Sequence, residues 1–405
     1  MKTISHTISD RKLFEKQLLT YFKDKKHVVF LNSNDVEKTN LFAVSDSDYS
    51  NNKENQFGFI SYDYKNQIEE LSSSHFDGIQ FPEKHFFTPE ILFKIEETEV
   101  NISFEIENAA IERIITEIQS VSVTQQEIKR VNVVPKVSKE EYIETVKTLK
   151  EHIQLGDIYE VNYCQEYFAK NVEVNPVDIY IKLNQKSPTP FSCFVKCNNK
   201  YLMSASPERF IQKSGDKIIS QPIKGTIKRG VNADEDEVLK KQLFNDAKER
   251  SENVMIVDLV RNDLSKITVK NSVNVDELCG IYTFPQVHQM ISTVSGEVQK
   301  NIDVDAILKA TFPMGSMTGA PKIRAMKLIE KYEKTKRGLY SGTVGYIDEN
   351  GDFDFNVVIR SILYNQENNY LSFIVGGAIT ALSDPEKEYE ECLLKAKAML
   401  EVLGD

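Results

Sequence analysis

The chain reads as an α+β fold, and three observations carry that expectation. Short apolar stretches separated by polar turns fill the N-terminal third, strand-like and helix-like segments mix after residue 138, and apolar residues recur three and four apart near 234–260 and 385–403. At 405 residues, 40% hydrophobic and 27% charged, the chain can bury a substantial core, as one large domain or two unequal ones.

The elements follow in order. His27-Val28-Val29-Phe30-Leu31, Leu41-Phe42-Ala43-Val44 and Phe57-Gly58-Phe59-Ile60-Ser61-Tyr62 read as strands, with a polar insertion at 45–55. Residues 1–130 form a β-rich N-terminal region, and an extended connector at 131–137 leads into the remainder, 131–405. Ser138-Lys139-Glu140-Glu141 fits a capping box: the serine oxygen takes a free amide at the helix start and the glutamate returns a bond. That helix runs to about residue 155 and stops at Gly156. Strands are expected at 157–167, 191–196, 200–205 and 210–212, one helix over 234–260, and a last helix over 385–403. There is no internal repeat and no low-complexity tract.

The formal net charge of −11, without a basic block, argues against nucleic acid as a partner, because phosphate binding needs clustered Lys and Arg. A small anionic substrate could still be held by a few local cations or a metal. The five cysteines, Cys164, Cys193, Cys197, Cys279 and Cys392, are odd in number and lack paired ligand spacing, apart from Cys193 and Cys197 four apart in a strand. They read as reduced thiols of a cytoplasmic protein. Met1-Lys2-Thr3-Ile4-Ser5-His6 leads into charged residues rather than a signal-peptide core, and no apolar run has membrane-spanning length.

Chemistry concentrates around Gln221-Pro222-Ile223-Lys224-Gly225-Thr226, which reads as a Pro- and Gly-punctuated turn able to hold an amine rigidly against a substrate. A lysine beside glycine is more often simply solvated. Ser206-Pro207-Glu208 ends sixteen residues upstream. Glu249/Glu252 and Glu388/Glu391 are each spaced three apart in an expected helix, so each pair shares a helix face. Such pairs are common on solvated helices; if the two helices pack together, four carboxylates could instead converge on a hard dication such as Mg2+. Lys395, one turn beyond Glu391, could pair with that glutamate or reach a substrate carboxylate.

Taken together, these residues resemble the chorismate-utilising enzymes, the family that includes anthranilate, aminodeoxychorismate, isochorismate and salicylate synthases. The resemblance covers roughly 138–403. It rests on Gly156-Asp157-Ile158-Tyr159, Ser206-Pro207-Glu208-Arg209-Phe210, Lys224-Gly225-Thr226 and the run from Glu252 to Asp263. Phe312-Pro313, Thr318-Gly319-Ala320-Pro321-Lys322, residues 340–345 and Ser383-Asp384-Pro385 complete it, in the family's order. It implies a large two-sheet β-sandwich core flanked by helices, with the N-terminal region completing the sandwich. Lys224 stands where anthranilate synthases typically carry alanine. Glu160 stands where isochorismate and salicylate synthases carry a water-activating lysine. The combination resembles the aminodeoxychorismate synthases, with one departure: amine-using members more often have glutamine at the Glu160 position.

The resemblance implies a mechanism and a set of roles. Lys224, as free amine, adds at C2 of chorismate while the C4 hydroxyl departs with a proton from Glu208; ammonia then adds at C4 and expels the lysine. Glu208 is expected to have a raised pKa, and Lys224 to be neutral through desolvation and a nearby metal. Mg2+ is expected on Glu249, Glu252, Glu388 and Glu391. Tyr346 and Arg360 are assigned to the enolpyruvyl carboxylate, Gly376 and Ala378 to backbone donation, Gly225 and Thr226 to the ring carboxylate, and His288 to the leaving hydroxyl. Thr318 and Lys395 complete the substrate-binding set. The competing readings are an anthranilate synthase, an isochorismate or salicylate synthase, and a catalytically silent subunit. The Leu-Leu-Glu-Ser stretch of tryptophan-regulated members is absent, as is a cysteine-centred glutaminase motif. Ammonia is therefore expected from a separate glutamine amidotransferase subunit.

Overall fold

A computed structural model describes residues 1–36, 38–124, 128–284, 286–300 and 302–404. Among these the strands form two antiparallel sheets. The larger has twelve strands, in the order Lys2–Thr7, Glu99–Phe104, Ile91–Ile95, Asn40–Ser45, His27–Asn32, Phe191–Cys197, Lys200–Ser206, Ser361–Asn365, Tyr370–Ile379, Glu160–Ala169 and Gly319–Ala320, with Val134–Pro135 also on Glu160–Ala169. The smaller has nine: Ile223–Lys228, Val287–Glu297, Lys217–Gln221, Arg209–Ser214, Phe353–Asn356, Thr343–Ile347, Gln56–Ile60 and Lys84–Phe87, with Asn274–Thr283 on Val287–Glu297. Strands from the first hundred residues enter both sheets.

Two cores explain why the early strands read as continuous apolar runs. Val28, Phe30, Phe42 and Val44 pack in one cluster with Phe14, Leu18, Ile111, Tyr142, Cys392 and Met399 from the helices. Their immediate neighbours Val29 and Ala43 pack in the other, with Phe57, Phe59, Ile211 and Phe355 of the smaller sheet. The larger sheet is thus buried on both faces, between a helical layer and the second sheet, which removes the polar alternation of a half-exposed strand. Each fully buried Val, Leu, Ile or Phe contributes roughly 1.5–3 kcal/mol.

The helix Lys139–Gln154 begins as its sequence signals: Ser138 Oγ accepts from the Glu141 amide at 3.1 Å, and Gly156 follows its end at φ 79°. Glu141's carboxylate lies 3.4 Å from the Lys334 ammonium. The strand expected from 157 starts at Glu160, because Asp157 is tied to His152 and Arg324 outside the ladder.

Two expectations need correction. The stretch 234–260 is two helices, Ala233–Asn245 and Ala247–Ser265. Asp246 between them is extended (φ −67°, ψ 113°), and its side chain accepts from the Glu249 amide at 3.0 Å. Apolar spacing continues across the break, so periodicity alone missed an N-cap. The hexapeptide at 221–226 is not a turn but the start of the strand Ile223–Lys228, with a register shift between Ile223 and Thr226 against Val287–Glu297. Gly225 sits in that bulge at φ 91°, a conformation that strains any other residue by about 1–3 kcal/mol.

Candidate active site

The segment Ser206-Pro207-Glu208 carries the chain from the larger sheet to the smaller one. Ser206 Oγ donates to Val357 O at 2.6 Å, the Glu208 amide bonds back to Ser206 Oγ at 3.3 Å, and Glu208 O accepts from Val357 N at 3.0 Å. Bidentate pairing of Arg209 with Asp354 anchors the next residue. Glu208 is thereby held at 4% exposure between the sheets. Burial pushes its pKa up to about 7 against the lowering influence of Ser316, Lys224, the Ile223 amide and Arg360, so the carboxyl is half protonated near neutrality.

Lys224 points to the same region, its Nζ 3.1 Å from Glu160 Oε1. Burial works to lower the ammonium's pKa, but Glu160, Glu252 and Glu208 outweigh it and hold the lysine well above its ordinary value. The expectation of a neutral Lys224 is therefore corrected for the metal-free chain: three carboxylates around one amine favour its charged form. Arg360 adds a second cation. It adopts φ 51°, burial lowers its pKa against the opposing influence of Glu208, and the residue is half-buried. A half-buried guanidinium beside Glu208 is suited to a ligand carboxylate.

A lysine links the two acidic pairs. Lys248 Nζ, in the helix Ala247–Ser265, is 3.0 Å from Glu388 Oε1 of the helix Pro385–Leu403 and 3.7 Å from Glu252 Oε1 of its own helix. A Cβ on Gly377 would stand 3.2 Å from Glu388 Oε2 and 3.7 Å from Glu391 Oε1; one on Gly225 would stand 3.2 Å from Glu249 Oε2. Glu388 and Glu391 thus line one glycine and Glu249 the other, with Glu252 linked to Glu388 through Lys248. Burial raises the pKa of Glu249, and raises Glu252 to about 7, whereas Lys395, Lys248 and Lys224 outweigh burial at Glu391 and lower it. Glu252 Oε1 and Glu160 Oε2 are buried without a hydrogen-bond donor. Of the four glutamates, Glu252 has a buried oxygen without a donor, whereas Glu388 and Glu391 accept from Lys248 and Lys395; such hard oxygens suit a divalent cation such as Mg2+, whose positive charge the two lysines partly supply here.

The remaining sequence candidates divide. Lys395 donates to Glu391 at 2.7 Å and to Gly376 O at 2.8 Å, so it meets its salt-bridge partner and the site's edge together. Beyond Phe373 the strand Tyr370–Ile379 is paired only with Glu160–Ala169. Gly376 O turns to Lys395, while the amide of its cross-strand partner Cys164 bonds Glu333, so Gly376 and, two residues on, Ala378 face the unpaired edge. Tyr346 lies on Thr343–Ile347 with its ring stacked on Phe57 at 6.0 Å. Thr226 is exposed, opposite Gln289. Thr318 is fully buried with its hydroxyl on Met314 O and Gly315 O. His288 is also fully buried, and both ring nitrogens are engaged, by Thr283 at 3.0 Å and Asp236 at 2.9 Å; none of these bonds reaches Lys224 or Glu208. Sequence reasoning missed Lys248 and Gly377. The signals were an i,i+4 Lys-Glu pair and a Gly-Gly step inside a strand, both too common to single out.

The chain matches the family described as chorismate binding enzyme over residues 6–401. Aminodeoxychorismate synthase component 1 of Bacillus subtilis is 33% identical over 362 residues, covering 85% of this chain and 76% of that protein. The chloroplastic aminodeoxychorismate synthase of Arabidopsis thaliana is 39% identical over 283 residues, 69% of this chain but 31% of that protein, so the chain spans about a third of that relative. Anthranilate synthase component 1 of Aquifex aeolicus is 38% identical over 266 residues, covering 66% of this chain and 53% of that protein. Among solved structures, anthranilate synthase component I from Streptococcus pneumoniae superposes with a TM-score of 0.75 at 28% identity, covering 85% of this chain and 80% of that one. The menaquinone-specific isochorismate synthase of Escherichia coli shares the fold, with a TM-score of 0.80 at 14% identity over 100% of this chain and 94% of that one. The two-sheet architecture and these matches together place the chain in the chorismate binding enzyme family.

Proposed function

We propose that this chain aminates chorismate at C4, forming 4-amino-4-deoxychorismate through a covalent adduct on Lys224. The observation that carries the reading is the largely enclosed Lys224 ammonium, 3.1 Å from Glu160 and electrostatically coupled to Glu208 and Glu252. Relatives named aminodeoxychorismate synthase from bacteria and plants support it.

Lys224 must first lose a proton, and Glu160 is the nearest acceptor. The free Nζ then bonds to C2 as both conjugated ring double bonds shift by one position and the C4–O bond breaks; the departing hydroxyl takes the Glu208 proton and leaves as water. Ammonia bonds to C4, both double bonds shift back, and the C2–Nζ bond breaks to return the lysine. A carboxyl with a pKa of about 7 can serve this proton donation near neutrality. Arg360 would hold a substrate carboxylate. A divalent cation held by Glu249, Glu252, Glu388 and Glu391 would supply positive charge to the other carboxylate. Ammonia would come from a separate glutamine amidotransferase subunit, a role suggested by the word component in the names of bacterial relatives. A second reading, an anthranilate synthase, has its own support in relatives at 38% and 33% identity.

The test is the mass and chromatographic identity of the product from chorismate, Mg2+ and ammonium. An aminated product that keeps the enolpyruvyl group, formed by the native chain and not by Lys224→Ala, supports the proposal. Anthranilate with pyruvate, or full activity in Lys224→Ala, refutes it.

A further inference from the structure

A second cluster of metal-ligand side chains lies between the sheets and shares no residue with the site above. His27 opens the strand His27–Asn32 and is the direct cross-strand partner of Cys197, which closes Phe191–Cys197. His85 comes from Lys84–Phe87, the edge strand of the other sheet. The two imidazoles are 4.5 Å apart between centroids, and one ring nitrogen of each lies within 4.8 Å of the other and of Cys197 Sγ.

The donor atoms are prepared for a ligand. His27 is fully buried, and its Nε2 lies 2.8 Å from Asp48 Oδ1. A carboxylate there fixes the proton on Nε2 and leaves a lone pair on Nδ1, the carboxylate–histidine arrangement that orients metal-binding imidazoles. That Nδ1 is buried with no partner, and so is Nε2 of His85. Phe87 stacks on His27 at 5.4 Å and Phe59 lies 5.8 Å from His85, so packing constrains both rings. Two unpartnered imidazole nitrogens and a buried thiol form an expensive arrangement for an ordinary core.

We propose that His27, His85 and Cys197 bind a borderline-soft divalent cation of the zinc type, which staples the two sheets together. One sulfur and two imidazole nitrogens suit such an ion better than Mg2+ or Ca2+, which prefer oxygen. Tetrahedral binding needs ligand separations of roughly 3.3–3.6 Å, so the side chains draw in by about 1 Å on loading. Water would complete the tetrahedron as fourth ligand.

Protonation fits the same occupant. Burial lowers His27 despite Asp48, and burial together with His27 lowers His85 to about 4, so both rings are neutral at pH 7. Burial pushes the Cys197 thiol up to about 11, with Lys200 and Lys26 lowering it and Asp48 raising it; Lys26 and Asp46 also face His27. Binding therefore exchanges one thiol proton for one metal–sulfur bond.

The experiment titrates the chelator-stripped native protein with Co2+ alone. One equivalent should produce sulfur-to-cobalt charge-transfer absorption in the near ultraviolet, a band that a carboxylate-only site does not give. Cys197→Ala should lose the band. If that variant does not fold, His85→Gln serves in its place, with the thiol intact and affinity reduced at least tenfold. Asp48→Asn should weaken binding about tenfold while keeping the band. The absence of a sulfur band in the native protein, or its persistence in Cys197→Ala, overturns the proposal.

Discussion

Replacing Glu160 with glutamine tests the electrostatic core of the site. The Glu160 carboxylate is 1% exposed and 3.1 Å from Lys224 Nζ. At an effective dielectric constant of about 20, unit charges at that separation attract by about 5 kcal/mol. Glutamine removes the charge but keeps a carbonyl that accepts from the ammonium, returning roughly 1.5–3 kcal/mol. The remainder, about 2–3.5 kcal/mol, corresponds to a fall of about 1.5–2.5 units in the lysine's pKa, at 1.36 kcal/mol per unit. The native lysine is held above its ordinary value, so its charged form prevails through neutral pH and the free amine is scarce. Glu160→Gln should bring the alkaline limb of the pH–activity profile down by that amount and increase the free-amine fraction at pH 8. The direct assay is a titration of the Lys224 Cε chemical shift in protein carrying carbon-13-labelled lysine, assigned by its loss in Lys224→Ala. A midpoint unchanged to within a few tenths of a unit would refute the claim that Glu160 sets the charge on Lys224.

Two further perturbations follow from the same geometry. Glu208 binds its proton more tightly in the folded chain than in the unfolded one, so its contribution to stability is complete below the usual 4.5 and is lost as pH rises through about 7; the loss is about 3 kcal/mol. Glu208→Gln should be inactive, yet in urea denaturation its fall in stability from pH 5 to pH 8 should be smaller than the native chain's by that order; equal falls would contradict a raised pKa. The atoms nearest a Cβ at Gly377 would be the far ends of Glu388, Glu391 and Lys395, at 3.2, 3.7 and 3.9 Å. Gly377→Ala should therefore fold with a native circular dichroism spectrum while binding Mg2+ about tenfold more weakly, read as a smaller Mg2+-dependent rise in melting temperature. An unchanged Mg2+ response would remove the four-carboxylate site.

The sequence by itself determined much of this protein, because local rules govern those parts. Ser138 as an N-cap and Gly156 as a stop are decided within one helical turn, and the structure has both. The run from His27 to Leu31 is apolar without alternation, as a strand covered on both faces must be. Glu249/Glu252 and Glu388/Glu391 share helix faces by spacing alone, and the motif order carried the family. Tertiary structure decided whatever depends on partners distant in the chain. Asp246 acts as a cap rather than a helix-interior acid because its side chain bonds the Glu249 amide, and periodicity does not register that bond. Lys224 is charged rather than neutral because Glu160, sixty-four residues earlier, lies 3.1 Å away, and electrostatic influence follows distance in space. His27, His85 and Cys197 show no ligand spacing in the sequence, since they reach one another only where the edge of one sheet packs across the other.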